Sequence, residues 1–269
     1  MEEQHRLQVK GDAPELYERY KVPRLFEPLA LQLLEHVPLR AGHRMLDVAC
    51  GTGIVARLAA PRVAPSGKVT GIDLNAGMLA VARAQADEAT LSIDFSTPTP
   101  AKLPFDDAAF DVVCCQQGLQ FFPDRTRALH EIRRVLVPGG LLALSVLGVA
   151  SRYNAALAEA LAEYAGATAA KRCVAPFALG NLEALRRLVQ AAGFGSVEPH
   201  TITVTRRVYP SQEWLLQESA GTPFGGDIAD MDVFARAAMI RDIASQLKDL
   251  WDVESFAVPT EVHLIYARR

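Results

Sequence analysis

Short apolar runs alternate along the first half of the chain with stretches of helical period. "RMLDVA" (44–49), "KVTGID" (68–73), "LSIDFS" (91–96), "FDVVCCQ" (110–116) and "GLLALSVLG" (140–148) read as strands, being short and bounded by turn residues. Between them, 53–60, the Ala-rich 76–89 and 124–136 carry apolar residues at helical spacing. Strands and helices alternating at these intervals predict right-handed crossovers and a parallel sheet covered on both faces. Ahead of the first strand, 14–37 has a helical period interrupted by Pro23 and Pro28, which predicts one or two short helices leading into the core.

After Gly148 the rhythm breaks. Residues 152–170 read as an Ala-rich helix and 181–192 as a helix opened by Asn181 and closed by Gly193. "SVEPHTITVTRRVY" (196–209) alternates like a strand, 211–219 and 229–250 read as helices, and "VHLIYARR" (262–269) as a last strand. This pattern predicts two late strands forming a hairpin-like pair at the sheet edge, with a helical cap built from 150–180 and 210–255. The expected division is an N-terminal helical segment over the site (1–40), a nucleotide-binding core (41–149), and the remainder of the same domain with its cap (150–269).

Composition narrows the partners. With 28 Lys and Arg against 31 Asp and Glu, the net charge is −3, and no Lys/Arg-dense run is present to neutralise a phosphate backbone, so nucleic acid is not the expected partner. The polar start, MEEQHRLQVKGD, lacks the basic and apolar regions of a signal peptide, and no apolar run approaches a membrane span. A soluble cytoplasmic protein without membrane partners is the expectation. Cys50, Cys114, Cys115 and Cys173 contain no C-x-x-C pair, and adjacent Cys114 and Cys115 on a strand would face opposite sides. Buried thiols are therefore expected, with no metal site.

Chemistry concentrates in "MLDVACGTGIVARLA" (45–59). Gly51-x-Gly53-x-x-Ala56 fits the dinucleotide fingerprint, but the glycines alone do not choose a ligand. A pyrophosphate on a helix N-terminus would be repelled by a nearby carboxylate. Asp47, four residues before Gly51, instead suits a cationic ligand such as a sulfonium nucleotide with an α-amino group. Asp73, at the end of the second strand, is placed to accept ribose hydroxyls, which both nucleotide classes require; the bland alternative is that it caps the helix beginning near Asn75.

The sequence resembles the class I S-adenosylmethionine-dependent methyltransferases, in particular small-molecule enzymes of the ubiquinone/menaquinone-biosynthesis type (methyltransferase type 11). "LDVACGTG" (46–53), "VTGIDLNAGML" (69–79), "LPFDDAAFDVVCCQQGLQFFPD" (103–124), "ALHEIRRVLVPGGLLALSV" (128–146) and Ala192-Gly193-Phe194 carry the resemblance. It implies a three-layer α/β/α Rossmann-like sandwich whose mostly parallel seven-stranded sheet ends in an antiparallel last strand. It also implies S-adenosylmethionine as cofactor, with S-adenosylhomocysteine as product. Asp47 and the backbone of Ala49, Cys50, Gly51, Thr52 and Gly53 would then hold the methionine end, Asp73 the ribose, and Leu74 and Met78 the adenine. Thr99, where family enzymes often place an acid, and the amide of Ala101 would bond the adenine ring. Gln116 and Gln117 would face the cofactor's amino group and the substrate. Tyr17 and Tyr20 lie on a segment that relatives fold over the cofactor, and Tyr20 is counted among its contacts. Gln120 and Phe121 replace a His-Trp pair found in several relatives, which removes one potential base.

The implied reaction is in-line methyl transfer to an O, N or C nucleophile of a small, apolar or aromatic metabolite. Alignment can supply about 7–11 kcal/mol of such a barrier, so no dedicated base is required and no catalytic residue is assigned. His36, His43, His130, His200 and His263 each have a structural reading that is preferred. Tyr153, Tyr164, Phe177, Tyr209, Trp214 and Phe224, with the glycine-rich "AGTPFGGD" (220–227), are the cap residues expected near the substrate. The alternatives are a non-catalytic S-adenosylmethionine-binding regulator or scaffold and, less favoured, an NAD-dependent oxidoreductase. The sequence leaves the oligomeric state open.

Overall fold

The computed structural model describes residues 12–98 and 102–269; Thr99 and Ala101 lie outside the described residues. The N-terminal segment is one continuous helical path in three parts. A single turn, α1 (Ala13–Leu16), passes into a π-helical stretch, Tyr17–Phe26, and then into α2 (Glu27–Glu35). The wider turn is where Pro23 sits, and its exit bond runs from the Glu27 amide to the Val22 carbonyl.

The alternating half folds as its pattern predicts. β1 (Arg44–Val48), α3 (Ile54–Val63), β2 (Lys68–Ile72), α4 (Ala76–Glu88) and β3 (Ile93–Ser96) are followed by β4 (Phe110–Gln116), α5 (Arg125–Val135) and β5 (Leu136–Leu147). Side-chain caps start these helices where the sequence offers them: Asn75 accepts from the Gly77 and Met78 amides, and Asp124 from Arg127. β5 starts earlier than its apolar run suggests, because Leu136 pairs with Phe110 before the register shifts.

Next come α6 (Arg152–Tyr164), α7 (Ala167–Val174), α8 (Leu182–Ala191) and β6 (Val197–Val208). The expected 152–170 helix is thus two helices separated at Gly166, whose φ is 90°. Asn181 caps α8 through the Ala184 amide, as its position suggests. α9 (Gln212–Ser219), α10 (Gly225–Ala229), α11 (Val233–Leu247), β7 (Trp251–Asp252) and β8 (Ser255–Arg268) complete the chain.

Among the described residues the sheet order is β3-β2-β1-β4-β5-β8-β6, the expected seven strands, with the two-residue β7 added beside β8 as an eighth. β1 to β5 pair in parallel, whereas β8 is antiparallel to both β5 and β6. Alternating residues feed separate cores: Met45, Cys114, Leu264 and Tyr266 pack under α2 and α3, while Leu46, Cys115 and Ile265 pack under α5 and α8. Cys114 and Cys115 therefore do face opposite sides.

The last strand begins at Ser255, not at 262. β5 pairs with Val262–Arg268 only, but the β6–β8 ribbon continues to Val208 opposite Phe256. Pro259 disguises this extension in the sequence; it is tolerated where β8 has a partner on one side only. The overhanging ribbon is the floor of the cap, where Val208, Phe256 and Val258 join α6, α9 and α11 in a third apolar core. Among the described residues no helix is long and apolar enough to cross a membrane.

Candidate active site

At the carboxyl ends of β1 and β2 the backbone turns sharply. Ala49, Gly51 and Gly53 have φ of 57°, 56° and 84°, a left-handed run that glycine makes accessible. The turn is also a close approach. A Cβ at Gly71 would stand 2.7 Å from the Phe95 ring, and one at Gly118 would stand 2.7 Å from the Ala49 Cβ. Small residues thus hold β1, β2 and the loop after β4 tightly around the turn.

Asp47 is 1% exposed. Its Oδ2 accepts a hydrogen bond from the Ala56 amide at 3.1 Å, inside the first turn of α3. Burial pushes its carboxyl up to about 8, with a smaller rise from Asp73 and an opposing pull from the Ala56 amide. Among the described residues, Asp47 Oδ1, Thr52 Oγ1 and Gln116 Oε1 are buried without a hydrogen-bond partner. Three buried acceptors near one turn fit a ligand that brings donors, and a cationic amine would restore the Asp47 charge.

Asp73 holds the turn from the next strand. Its Oδ2 accepts from the Gly51 amide at 2.9 Å and its Oδ1 from the Asn75 amide at 2.8 Å. Asn75, not Asp73, caps α4. Each carboxylate oxygen has a second acceptor site, so these bonds orient Asp73 without exhausting it. Burial raises its proton affinity, opposed by the Asn75, Gly51 and Leu74 amides. A cavity of ≈ 640 Å³ opens in front of these groups, within the range of small-molecule sites, roughly 300–1,000 Å³. Its walls include Asp47, Ala49, Cys50, Gly51, Thr52, Asp73, Leu74 and Met78. Gly53 lies behind the wall as the left-handed cap of α3.

Gln116 and Gln117 also reach the cavity, but both side chains have structural work. The Gln116 amide donates to the Phe26 carbonyl at 3.0 Å, tying the π-helical segment to β4. Gln117, at φ 54°, accepts from Gln120 at 3.1 Å. Tyr20 is displaced from its expected place: it lies beside Arg19 and Arg24, each guanidinium 5.4 Å from its ring, and is not among the lining residues. The helix presents Tyr17 to the cavity instead, stacked on Phe26 at 5.0 Å. Among the described residues, none that lines the cavity is a histidine. His36 and His200 stack at 5.8 Å, and His263 bridges Thr201 and the Gly180 carbonyl at 3.0 and 3.1 Å.

The cap sorts its aromatics. Tyr153, Phe177 and Phe224 line the cavity together with Gly221, Thr222 and Pro223 of the glycine-rich segment. Trp214 belongs to the cap's own core, against which Tyr209 and Tyr164 pack, and the Tyr164 hydroxyl donates to Asp242 at 2.6 Å.

The cap end also holds a charge cluster that sequence reasoning missed. Lys21 Nζ donates to Glu218 Oε1 at 3.2 Å, and Arg206 donates to the same oxygen. All three line the cavity beside the buried Tyr153. A signal existed for Arg206, because it occupies the apolar register of β6 with Ile202, Val204 and Val208. Glu218 similarly follows Trp214 by one turn of α9, and Lys21 lies one turn after Tyr17.

Residues 46–144 match the sequence profile described as a methyltransferase domain. Over 104 residues, 39% of this chain, the sequence is 43% identical to the ubiquinone/menaquinone biosynthesis C-methyltransferase UbiE of Bordetella avium. The chain spans 41–46% of the length of such curated relatives. Among solved structures, the YcgJ protein of Bacillus subtilis superposes with a TM-score of 0.62 at 20% identity, covering 90% of this chain and 98% of that one. A phosphoethanolamine N-methyltransferase of Haemonchus contortus, in complex with phosphomonomethylethanolamine and S-adenosylhomocysteine, gives 0.56 at 23% identity, covering 90% and 52%. Residues 46–144 are thus similar in sequence to a methyltransferase domain, and the chain as a whole shares its fold with these solved structures.

Proposed function

We propose that the chain binds S-adenosylmethionine and transfers its methyl group to a small, largely apolar metabolite. The observation that carries this reading is the buried Asp47 carboxyl beside the left-handed glycine turn, with one oxygen unpartnered and no cation in contact with it among the described residues. A pyrophosphate would meet two carboxylates there, whereas an α-amino group would complete Asp47. Thr52 Oγ1 would accept a further donor, Asp73 the ribose hydroxyls, and Leu74 and Met78 would flank the adenine.

Bound there, the cofactor would supply an activated methyl on a positive sulfur, which would leave as a neutral thioether, keeping the electron pair of the carbon–sulfur bond, as the nucleophile takes the methyl. This chain's share is to align and to exclude water. The Tyr17–Phe26 segment, pinned through Gln116, closes one side, and Tyr153, Phe177 and Phe224 form the other. The curated relative is named for C-methylation in quinone biosynthesis, which favours hydroxylated aromatic rings as the first acceptors to test. A cytoplasmic location belongs to the same reading and is supported by four free, buried cysteines.

Calorimetric titration of ligand-stripped protein with S-adenosylmethionine, S-adenosylhomocysteine and NAD tests the assignment. Micromolar binding of the sulfonium and its thioether product, with no response to NAD, is expected. Binding of NAD alone would remove the methyltransferase reading, and binding without turnover on any acceptor would favour a regulatory or scaffold role.

A further inference from the structure

The cap end of the cavity carries an unbalanced charge set. Lys21, Arg206 and Glu218 expose 13%, 11% and 8% of their side chains, and one carboxylate serves both cations. Tyr153 closes the group. Its ring lies 5.9 Å from the Arg206 guanidinium, and its hydroxyl is buried without a hydrogen-bond partner among the described residues. All four line the same cavity as Asp47 and Asp73.

Buried charge is ordinarily balanced, and a buried hydroxyl is ordinarily bonded. Here the cluster is one negative charge and one acceptor short, on the wall facing the space a substrate would occupy. Burial already lowers the affinity of Lys21 for its proton, and Arg206 pushes the same way against Glu218. An incoming anion would reverse that effect. Leu25, Leu157, Phe177 and Phe224 add apolar surface to the same cavity.

We propose that Lys21, Arg206 and Tyr153 form an anion subsite for the acceptor substrate, which is a small apolar or aromatic molecule carrying an acidic oxygen, either a carboxylate or an ionisable hydroxyl. Glu218 positions the two cations and keeps the empty subsite from holding two unpaired charges. This inference rests on the methyltransferase reading for the word substrate, but the subsite's preference for an anion is a property of these side chains alone.

The test is binding of matched aromatic probes, 2-naphthoate, 2-naphthol and neutral 2-naphthamide, to the full chain with and without saturating S-adenosylhomocysteine. Naphthoate is expected to bind at least tenfold more tightly than the amide, and naphthol to take up the bound phenolate absorption at a pH where it is protonated in solution. Lys21→Met is expected to abolish the naphthoate preference and Tyr153→Phe to reduce it several-fold, with S-adenosylhomocysteine affinity unchanged in both. Equal or better binding of the amide to wild-type protein, or no probe binding at all, overturns the proposal without recourse to any variant. Retained discrimination in a folded Lys21→Met protein does so too. If S-adenosylhomocysteine fails to bind while naphthoate is still preferred, the cofactor reading falls and the anion subsite stands.

Discussion

The two ends of the cavity carry opposite imbalances. At the strand edge, Asp47 is buried and Asp73 half-buried against backbone amides, with no cation touching them among the described residues; at the cap, Lys21 and Arg206 crowd onto a single carboxylate. The first end is built from a rigid turn between neighbouring strands, the second from a π-helical segment, an overhanging strand and a short helix. Such a cavity is matched to a pair of ligands, one bringing positive charge and one negative. The difference teaches that affinity for the cofactor can be set by local backbone geometry, whereas discrimination among substrates is assembled from side chains far apart in the chain.

Breaking the cap end should have the largest effect. Glu218→Leu leaves two buried cations without their carboxylate and is expected to lower stability by about 3–5 kcal/mol, read from urea unfolding. Lys21→Met keeps the Arg206–Glu218 pair and should cost much less; equal losses would show that the cluster is not organised around Glu218. At the strand edge, Asp73→Ala removes the acceptor that orients Gly51 and is expected to weaken S-adenosylmethionine binding by about 2–3 kcal/mol, on the order of a hundredfold, with the fold retained. Unchanged affinity in calorimetry would take Asp73 away from the ribose.

A pH series sharpens the contrast further. The native Asp47 carboxyl keeps its proton up to about 8, whereas the ordinary value is 3.8. Between those values the native state binds more protons than the unfolded chain, so this group makes stability fall as pH rises. A cation bound at Asp47 favours the ionised form, so cofactor affinity should increase with pH up to about 8. Asp47→Asn should flatten both dependences in thermal melts; a slope that persists in the variant would assign it to another group. The smallest effect is expected from Tyr164→Phe, which removes an outward hydrogen bond to Asp242. Cofactor and probe affinities should match the wild type, and any loss of either would mean that the cap transmits strain from its outer surface to the cavity.

Most of the strand-edge site was legible because its determinants are local. The register of β1, the left-handed turn at Gly51 and Gly53, and an acid ending each of the first two strands all lie within thirty residues of one another along the chain. Tyr20 was misplaced because the segment around Pro23 is π-helical: three positions after Tyr17 the wider turn carries a residue away from the cavity, while Lys21, four positions on, keeps the face. The extent of β8 was obscured by Pro259, and the cap aromatics could not be divided into cavity wall and core by type alone.

The sequence by itself determined the parallel alternating core, the glycine turn and the acids that serve it, since period, turn chemistry and strand ends act over a few residues. Only the tertiary structure decided that the β6–β8 ribbon overhangs the sheet, and with it that Lys21, Tyr153, Arg206 and Glu218 share one buried wall. Those four are separated by up to 197 positions along the chain, and no local propensity encodes such a meeting: it is fixed by the burial of the cap's apolar core, which brings their elements together and leaves their charges to balance one another.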